Sequence, residues 1–337
     1  MKKNSLSTNL IPSLRINILL MCCVLLFPLA TFKAFAENRG LNRTHEHAPV
    51  YRAIIIANNR YDDENGIWSS LKTPINDANA VYQVLKVKYA FQNISLITDA
   101  TRSEIISALD QLSKQTQEND NVLIYYAGHG YMDQNNERGY WIPSNAKGRD
   151  ITSYVRNSTV KDEIAAIAKK AKHVLVIVDS CFSGTLLTNQ KRSINKLLGG
   201  QRYYRTTSAR KSVQVLTAGG TEYVDDNYAG SGHSPFSYFF IRELILNQQA
   251  EISLSEISNN IIKSVANNAT QTPLKGTLFG LGDELGEFIF NNSGEDPHLD
   301  LKNDPSEIVA TEAKPSETQN QISNTPANNF HLLPSFF

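Results

Sequence analysis

The stretch Lys172–Gly184, KHVLVIVDSCFSG, decides the fold. Its centre, Val174 to Val178, is five apolar residues without polar alternation, the pattern of a strand buried on both faces within a parallel sheet. That strand carries Asp179, Ser180 and Cys181 to its C-terminal end, ahead of the turn-forming pair Ser183-Gly184. In open α/β sheets ligands bind beyond the carboxyl ends of the strands, so Cys181 is placed to face a ligand rather than to pack.

Outward from this strand the chain alternates. Tyr51 to Ala57, Ile94 to Thr98 and Val122 to Ala127 read as further strands. Between them, Pro74 and Asn76 open a helix with Val81, Val84 and Leu85 on one stripe, and the capping box Thr101/Glu104 opens another with Ile105, Leu109 and Leu112. Glu137 to Pro143 reads as a short hairpin arm carrying Tyr140 and Trp141. A helix with Ile164, Ile167, Ala168 and Ala171 leads into the Cys181 strand. Downstream come a strand at Val213 to Ala218, covering helices at Ser234 to Leu246 and Ser253 to Ala266, and a short strand at Glu287 to Phe290. Such alternation predicts a three-layer αβα sandwich of about six mostly parallel strands joined by right-handed crossovers.

The strand ending at Ala127 runs into Gly128-His129-Gly130, and glycines on both sides let a loop make close approaches that other residues resist. If the His129 and Cys181 strands are neighbours, their ends lie about 5 Å apart. A thiol beside an imidazolium shifts toward thiolate, the reactive form, so the pair reads as a nucleophile with its base.

The remaining composition bounds the context. Residues 1–36 hold Lys2, Lys3, Arg15 and Lys33, the apolar run Ile16 to Ala30 and the small-x-small sequence Ala34-Phe35-Ala36, which reads as a signal peptide cleaved before Glu37. Export to the periplasm or outside follows, with no stable membrane anchor after cleavage, because a spanning helix needs roughly 20 apolar residues. Removal of that leader leaves 29 basic against 33 acidic residues, which gives no nucleic-acid footprint. Cys22 and Cys23 leave with the leader, so Cys181 is the lone thiol of the mature chain. It has no internal disulfide partner. Residues 37–50 read as a polar linker whose His45 and His47 are solvated, and 291–337 as a disordered low-complexity tail. No metal-ligand pattern appears, and no cofactor is expected.

Two motifs carry a resemblance. Tyr125-Tyr126-Ala127-Gly128-His129-Gly130 and Asp179-Ser180-Cys181-Phe182-Ser183-Gly184, with Cys181 52 residues beyond His129, resemble the signatures of the caspase-like cysteine peptidases, closest to bacterial metacaspase-type members. The resemblance covers roughly residues 51–290, taken as one peptidase domain. It implies that Cys181 is the nucleophile, that His129 transfers the proton, and that the N–H groups of Gly130 and Cys181 form an oxyanion hole. It also implies that Asp77, in an Asn-Asp-Ala segment, and Asp179 line the pocket for the residue before the scissile bond. Two carboxylates there favour Arg or Lys. The chain departs from the metacaspase pattern at Ala127, where Ser is common.

The expectation is therefore an exported cysteine endopeptidase acting through an acyl-enzyme on peptide or protein substrates. A catalytically silent scaffold of the same fold that binds peptides or partner proteins is the alternative. The sequence sets no oligomeric state. The segment Thr188–Ser212, free of acids and carrying seven basic residues, reads as a surface loop that the enzyme itself would cut.

Overall fold

The structure is a computed structural model, and it describes residues 50–62, 66–89, 91–187, 201–278, 280–299 and 301. The leader 1–36, His45, His47, most of the linker, residues 188–200 and the tail from 302 lie outside the described residues.

The strands are β1 (Tyr51–Ala57), β2 (Asn93–Thr98), β3 (Asn121–Ala127), β4 (Gly130–Asp133), β5 (Arg138–Trp141), β6 (Val155–Arg156), β7 (His173–Asp179), β8 (Ser212–Thr217), β9 (Glu251–Ser253), β10 (Leu274–Thr277) and β11 (Ile289–Asn291). The helices are α1 (Pro74–Val87), α2 (Arg102–Gln115), α3 (Asn157–Ala168), α4 (Gln201–Ser208), α5 (Pro235–Leu246) and α6 (Leu254–Asn268).

A six-stranded sheet in the order β10-β8-β7-β3-β1-β2 forms the middle layer. All its neighbours pair in parallel except β10, which runs antiparallel to β8 at one edge. Every residue of β3 and β7 is buried, as an uninterrupted apolar run requires. The period of two then divides the sheet's side chains between two cores. Ile55, Leu123, Tyr125, Leu175 and Ile177 pack on one face with Val81, Val84, Phe240, Leu244, Ile257 and Ile261 from α1, α5 and α6. Ile54, Ile56, Val122, Val174 and Val176 pack on the other with Ile105, Leu109, Ile164 and Ile167 from α2 and α3. Each such aliphatic side chain contributes about 1.5–3 kcal/mol when taken fully out of water. The expected three-layer αβα sandwich is what this packing builds.

Local signals set the helix starts. Thr101 caps α2 and Ser253 caps α6, each in a reciprocal capping box with the Glu three positions on. Ser234 caps α5 ahead of Pro235 at its first position.

Several features differ from the sequence reading. The arm is three-stranded, β4-β5-β6, with Trp141 stacked on Tyr126 at 4.4 Å between ring centroids. The short strand near Phe290 is β11, which pairs with β9 away from the main sheet. Part of the basic segment expected as a loop is the helix α4, where the Thr206 and Thr207 hydroxyls donate back to the carbonyls of Arg202 and Tyr203. Order also runs past Phe290: Ser293 donates to the Lys88 carbonyl, and Leu299 and Leu301 pack on the core.

Candidate active site

The β3–β7 register aligns Tyr126 with Val178 and Ala127 with Asp179, so the two chains leave the sheet side by side. Gly128 N–H donates to the Asp179 carbonyl at 3.2 Å and ties the two exits together. His129, Gly130, Asp179, Cys181 and Asp77 all line one cavity of about 600 Å³ at this edge.

His129 is fixed from several sides. Its N–H donates to the Tyr61 hydroxyl and its carbonyl accepts from the Tyr126 hydroxyl, both at 2.8 Å. Gly128 is glycine for that reason: a Cβ there would lie 2.8 Å and 3.0 Å from those two hydroxyls, at a φ of +155°. The ring lies against Tyr61 and Trp68, with centroids at 4.7 and 5.5 Å. Nε2 stands 2.7 Å from the Ser69 carbonyl. A carbonyl only accepts, so Nε2 carries the proton and the neutral ring keeps its Nδ1 lone pair free.

Cys181 stands two residues beyond the end of β7, and Phe182 after it takes φ +55°, a left-handed conformation uncommon outside glycine. Both residues line the cavity. The second glycine of the His129 loop answers the approach of Cys181, since a Cβ on Gly130 would lie 2.1 Å from the Cys181 carbonyl oxygen. The thiol accepts a hydrogen bond from Val224 N–H at 3.4 Å.

The charge state differs from the sequence reading. Burial pushes the Cys181 thiol up and the His129 imidazole down. Desolvation disfavours each charged form, which favours thiol and neutral imidazole over thiolate and imidazolium. An uncharged thiol and imidazole are suited to general-base proton transfer rather than to a preformed ion pair.

The two sequence-predicted carboxylates are buried close to one another. Asp77, in the first turn of α1, takes His233 Nδ1 at 2.5 Å and Ser234 N–H at 3.3 Å. Asp179 takes the hydroxyls of Ser234 and Ser237 on the same oxygen, Oδ2, at 2.5 and 2.6 Å. Ser237 Oγ in turn lies 2.6 Å from the Tyr125 hydroxyl. Burial, then repulsion from Asp77, raises Asp179 to about 7, and burial raises Asp77 to about 6 against the bonds from His233. A cation beside two desolvated carboxylates would favour their charged forms. Ala127 also lines the cavity, and the hydroxyls that reach Asp179 come instead from Ser234, the N-cap residue of α5, which lines the cavity too, and from Ser237 behind it.

Asp226, Val224, His233, Ser234 and the Trp68–Ser69 segment were not legible as site residues. The sequence places a helix at Ser234 to Leu246, but nothing local aims its start at Asp179.

A thiol and an imidazole delivered by adjacent parallel strands to one cavity define a thiol–imidazole site of the α/β class. Residues 51–277 match the family model of the caspase domain, and the chain belongs to that family. It is 28% identical over 155 residues to metacaspase-1 of Saccharomyces cerevisiae, a match covering 40% of this chain and 34% of that protein. It is 28% identical over 140 residues to metacaspase-1 of Candida albicans, covering 36% and 31%. The matched stretch thus spans about a third of the length of these relatives. Among solved structures, caspase-1 from Spodoptera frugiperda aligns with a TM-score of 0.48 and 14% identity, over 68% of this chain and 86% of that one.

Proposed function

We propose that this chain is a cysteine endopeptidase that cleaves after Arg or Lys. The observation that carries the reading is the convergence of Cys181, His129 and the buried pair Asp77 and Asp179 on one cavity. The substrate's basic side chain enters beside the two carboxylates, which become fully ionised as the cation replaces lost water. This sets the scissile carbonyl over Cys181. His129 Nδ1 takes the thiol proton as Sγ attacks, and the carbonyl oxygen becomes an oxyanion received by the N–H groups of Gly130 and Cys181. The protonated ring then gives its proton to the leaving amine. Water, activated by the same ring, hydrolyses the thioester and frees Cys181.

Export after removal of residues 1–36 belongs to the same proposal, and rests on the basic, apolar and small-x-small order of the leader. N-terminal sequencing of the secreted or periplasmic protein tests it, with Glu37 as the expected first residue.

A panel of fluorogenic peptides differing only in the residue before the reporter tests the activity and its specificity together. Release after Arg and Lys, absent in Cys181→Ala, is expected. Release after Asp with none after Arg refutes the specificity, and equal turnover by Cys181→Ala refutes the nucleophile.

A further inference from the structure

Asp226 belongs to neither of the two motifs, yet its carboxylate stands where the site's parts meet. It lies on the connection from β8 to α5, in the loop whose Val224 N–H bonds the Cys181 thiol, and it lines the cavity. Oδ2 accepts Lys72 N–H at 2.7 Å, and Oδ1 accepts Thr73 N–H at 3.3 Å and the Thr73 hydroxyl at 2.9 Å. Thr73 is the N-cap residue of α1, and its own side chain makes no cap bond to that helix. Asp226 meets that amino-terminal end from outside, where a negative charge is favoured.

The segment it grips is the one that serves the other members of the site. A few residues before Lys72 stands Ser69, whose carbonyl holds His129 Nε2, and a few after Thr73 stands Asp77. Asn59, at the end of β1, also binds this segment, through Leu71 N–H, the Lys72 carbonyl and Ile75 N–H. That contact anchors it to the sheet. Asp226 joins it to the loop holding the thiol at the end nearest Val224, while Asn76 and Asp77 bind the same connection farther on, at Gly232, His233 and Ser234. Its charge also opposes the effect of burial on the His129 imidazole.

We propose that Asp226 is a positioning residue for Cys181 and His129, fastening the segment that holds the base to the loop that holds the nucleophile. The proposal rests on the reading of those two residues as the reacting groups. A thiol and a base must stand in near-attack geometry, and a misplacement of about 1 Å costs on the order of a hundredfold in rate. Loss of the grip therefore slows the chemical step more than it weakens substrate binding.

Steady-state hydrolysis of an Arg peptide and alkylation by iodoacetamide, measured on the same purified proteins, test this. Alkylation needs the thiol and its setting but no basic side chain in the pocket. Asp226→Asn keeps an oxygen for Thr73 while losing the charge and the acceptor for Lys72. Its kcat should fall about 10- to 100-fold with KM held within about threefold, alkylation should slow in parallel, and the melting temperature should hold within a few degrees. A raised KM at unchanged kcat and alkylation rate would make Asp226 merely a binding carboxylate and overturn the proposal. So would wild-type behaviour. If Asp226→Asn does not fold, Thr73→Ala, which removes one donor from the other side of the grip, decides. A several-fold loss of kcat at constant KM supports the proposal, and an unchanged kcat overturns it. Cys181→Ala, run alongside, separates the two levels of argument. Its full activity would sink the nucleophile assignment itself, whereas an inactive Cys181→Ala beside a normal Asp226→Asn would sink only the positioning role.

Discussion

The ring of His129 donates its Nε2 proton to the carbonyl of Ser69 at 2.7 Å, which leaves Nδ1 as the only ring atom able to take a proton from Cys181. Burial holds the imidazole down and the thiol up, which favours an uncharged resting pair. Alkylation by iodoacetamide should therefore climb with pH into the alkaline range, following ionisation of a raised thiol. A rate already on its plateau at pH 5 would show a preformed ion pair and refute the uncharged resting state. Peptide hydrolysis should fall by about a thousandfold or more in Cys181→Ala and in His129→Ala.

The pocket carboxylates make stability and activity oppose each other. Folded Asp179 titrates at about 7, against about 3.9 for an unfolded Asp. The folded state therefore binds more protons across that interval, and the Asp179 contribution, complete below pH 4, is lost as pH rises through 7. Asp77, at about 6, acts in the same direction. Asp179→Asn retains an oxygen for Ser234 and Ser237 and removes the buried charge, so at pH 8 it should melt a few degrees above the wild type. Its kcat/KM for Arg peptides should fall about a hundredfold, consistent with loss of a desolvated ion pair. In the wild type, KM for those peptides should rise as pH drops below about 7. Thermal scans at pH 5 and 8 decide the first part, and a destabilised Asp179→Asn at pH 8 would contradict it.

Much of this arrangement was legible in the chain because it is local. The run Val174 to Val178 implied a central strand, and Gly128-His129-Gly130 implied a tight loop at a strand end. Each is a statement about neighbours in sequence. The grip of Asp226 on Thr73 and the bond from Ser234 to Asp179 join residues far apart along the chain, with no periodicity or cap to announce them. The antiparallel edge strand β10 was missed for a related reason, since four residues, Leu-Lys-Gly-Thr, carry too little alternation to stand out. The thiolate expectation weighs only a neighbouring imidazole, which two motifs announce, whereas burial opposes both charged forms and is set by packing such as that of Tyr61 and Trp68 on the His129 ring.

Gly130 supplies a test of the close approach itself. Its missing side chain admits the Cys181 carbonyl, which would stand 2.1 Å from an alanine Cβ. Backbone on both sides leaves little room to yield, so Gly130→Ala should cost about 2 kcal/mol of stability, as overpacking does. Peptide hydrolysis should fall about a hundredfold because Cys181 is displaced. Activity above half that of the wild type would mean the loop can shift at no cost to the site.

Self-cleavage is the last expectation, and the structure narrows it. Seven basic residues lie between Thr188 and Ser212, and a pocket suited to Arg and Lys would accept any of them on charge alone. A protease engages its substrate in extended form, pairing with the peptide backbone. Arg202 and Arg205 are held in α4, in helical rather than extended backbone. The Lys211 N–H donates to the Glu284 carboxylate and its carbonyl accepts from Glu284 and Gly286, while the Arg210 carbonyl packs against Gly286. Cleavage after any of these four would first require unfolding that corner of the domain. We therefore expect the purified protein to cut itself after Lys191, Arg192 or Lys196, which lie outside the described residues, and not after Arg202, Arg205, Arg210 or Lys211. Mass spectrometry of freshly purified and incubated samples reads the new termini directly. Cys181→Ala should stay whole under the same conditions, and added wild-type enzyme should cut it at the same three positions. First cleavage within Gln201–Ser208 would show that α4 opens readily. An active enzyme that remains intact from Thr188 to Gly200 would rule out processing in this segment.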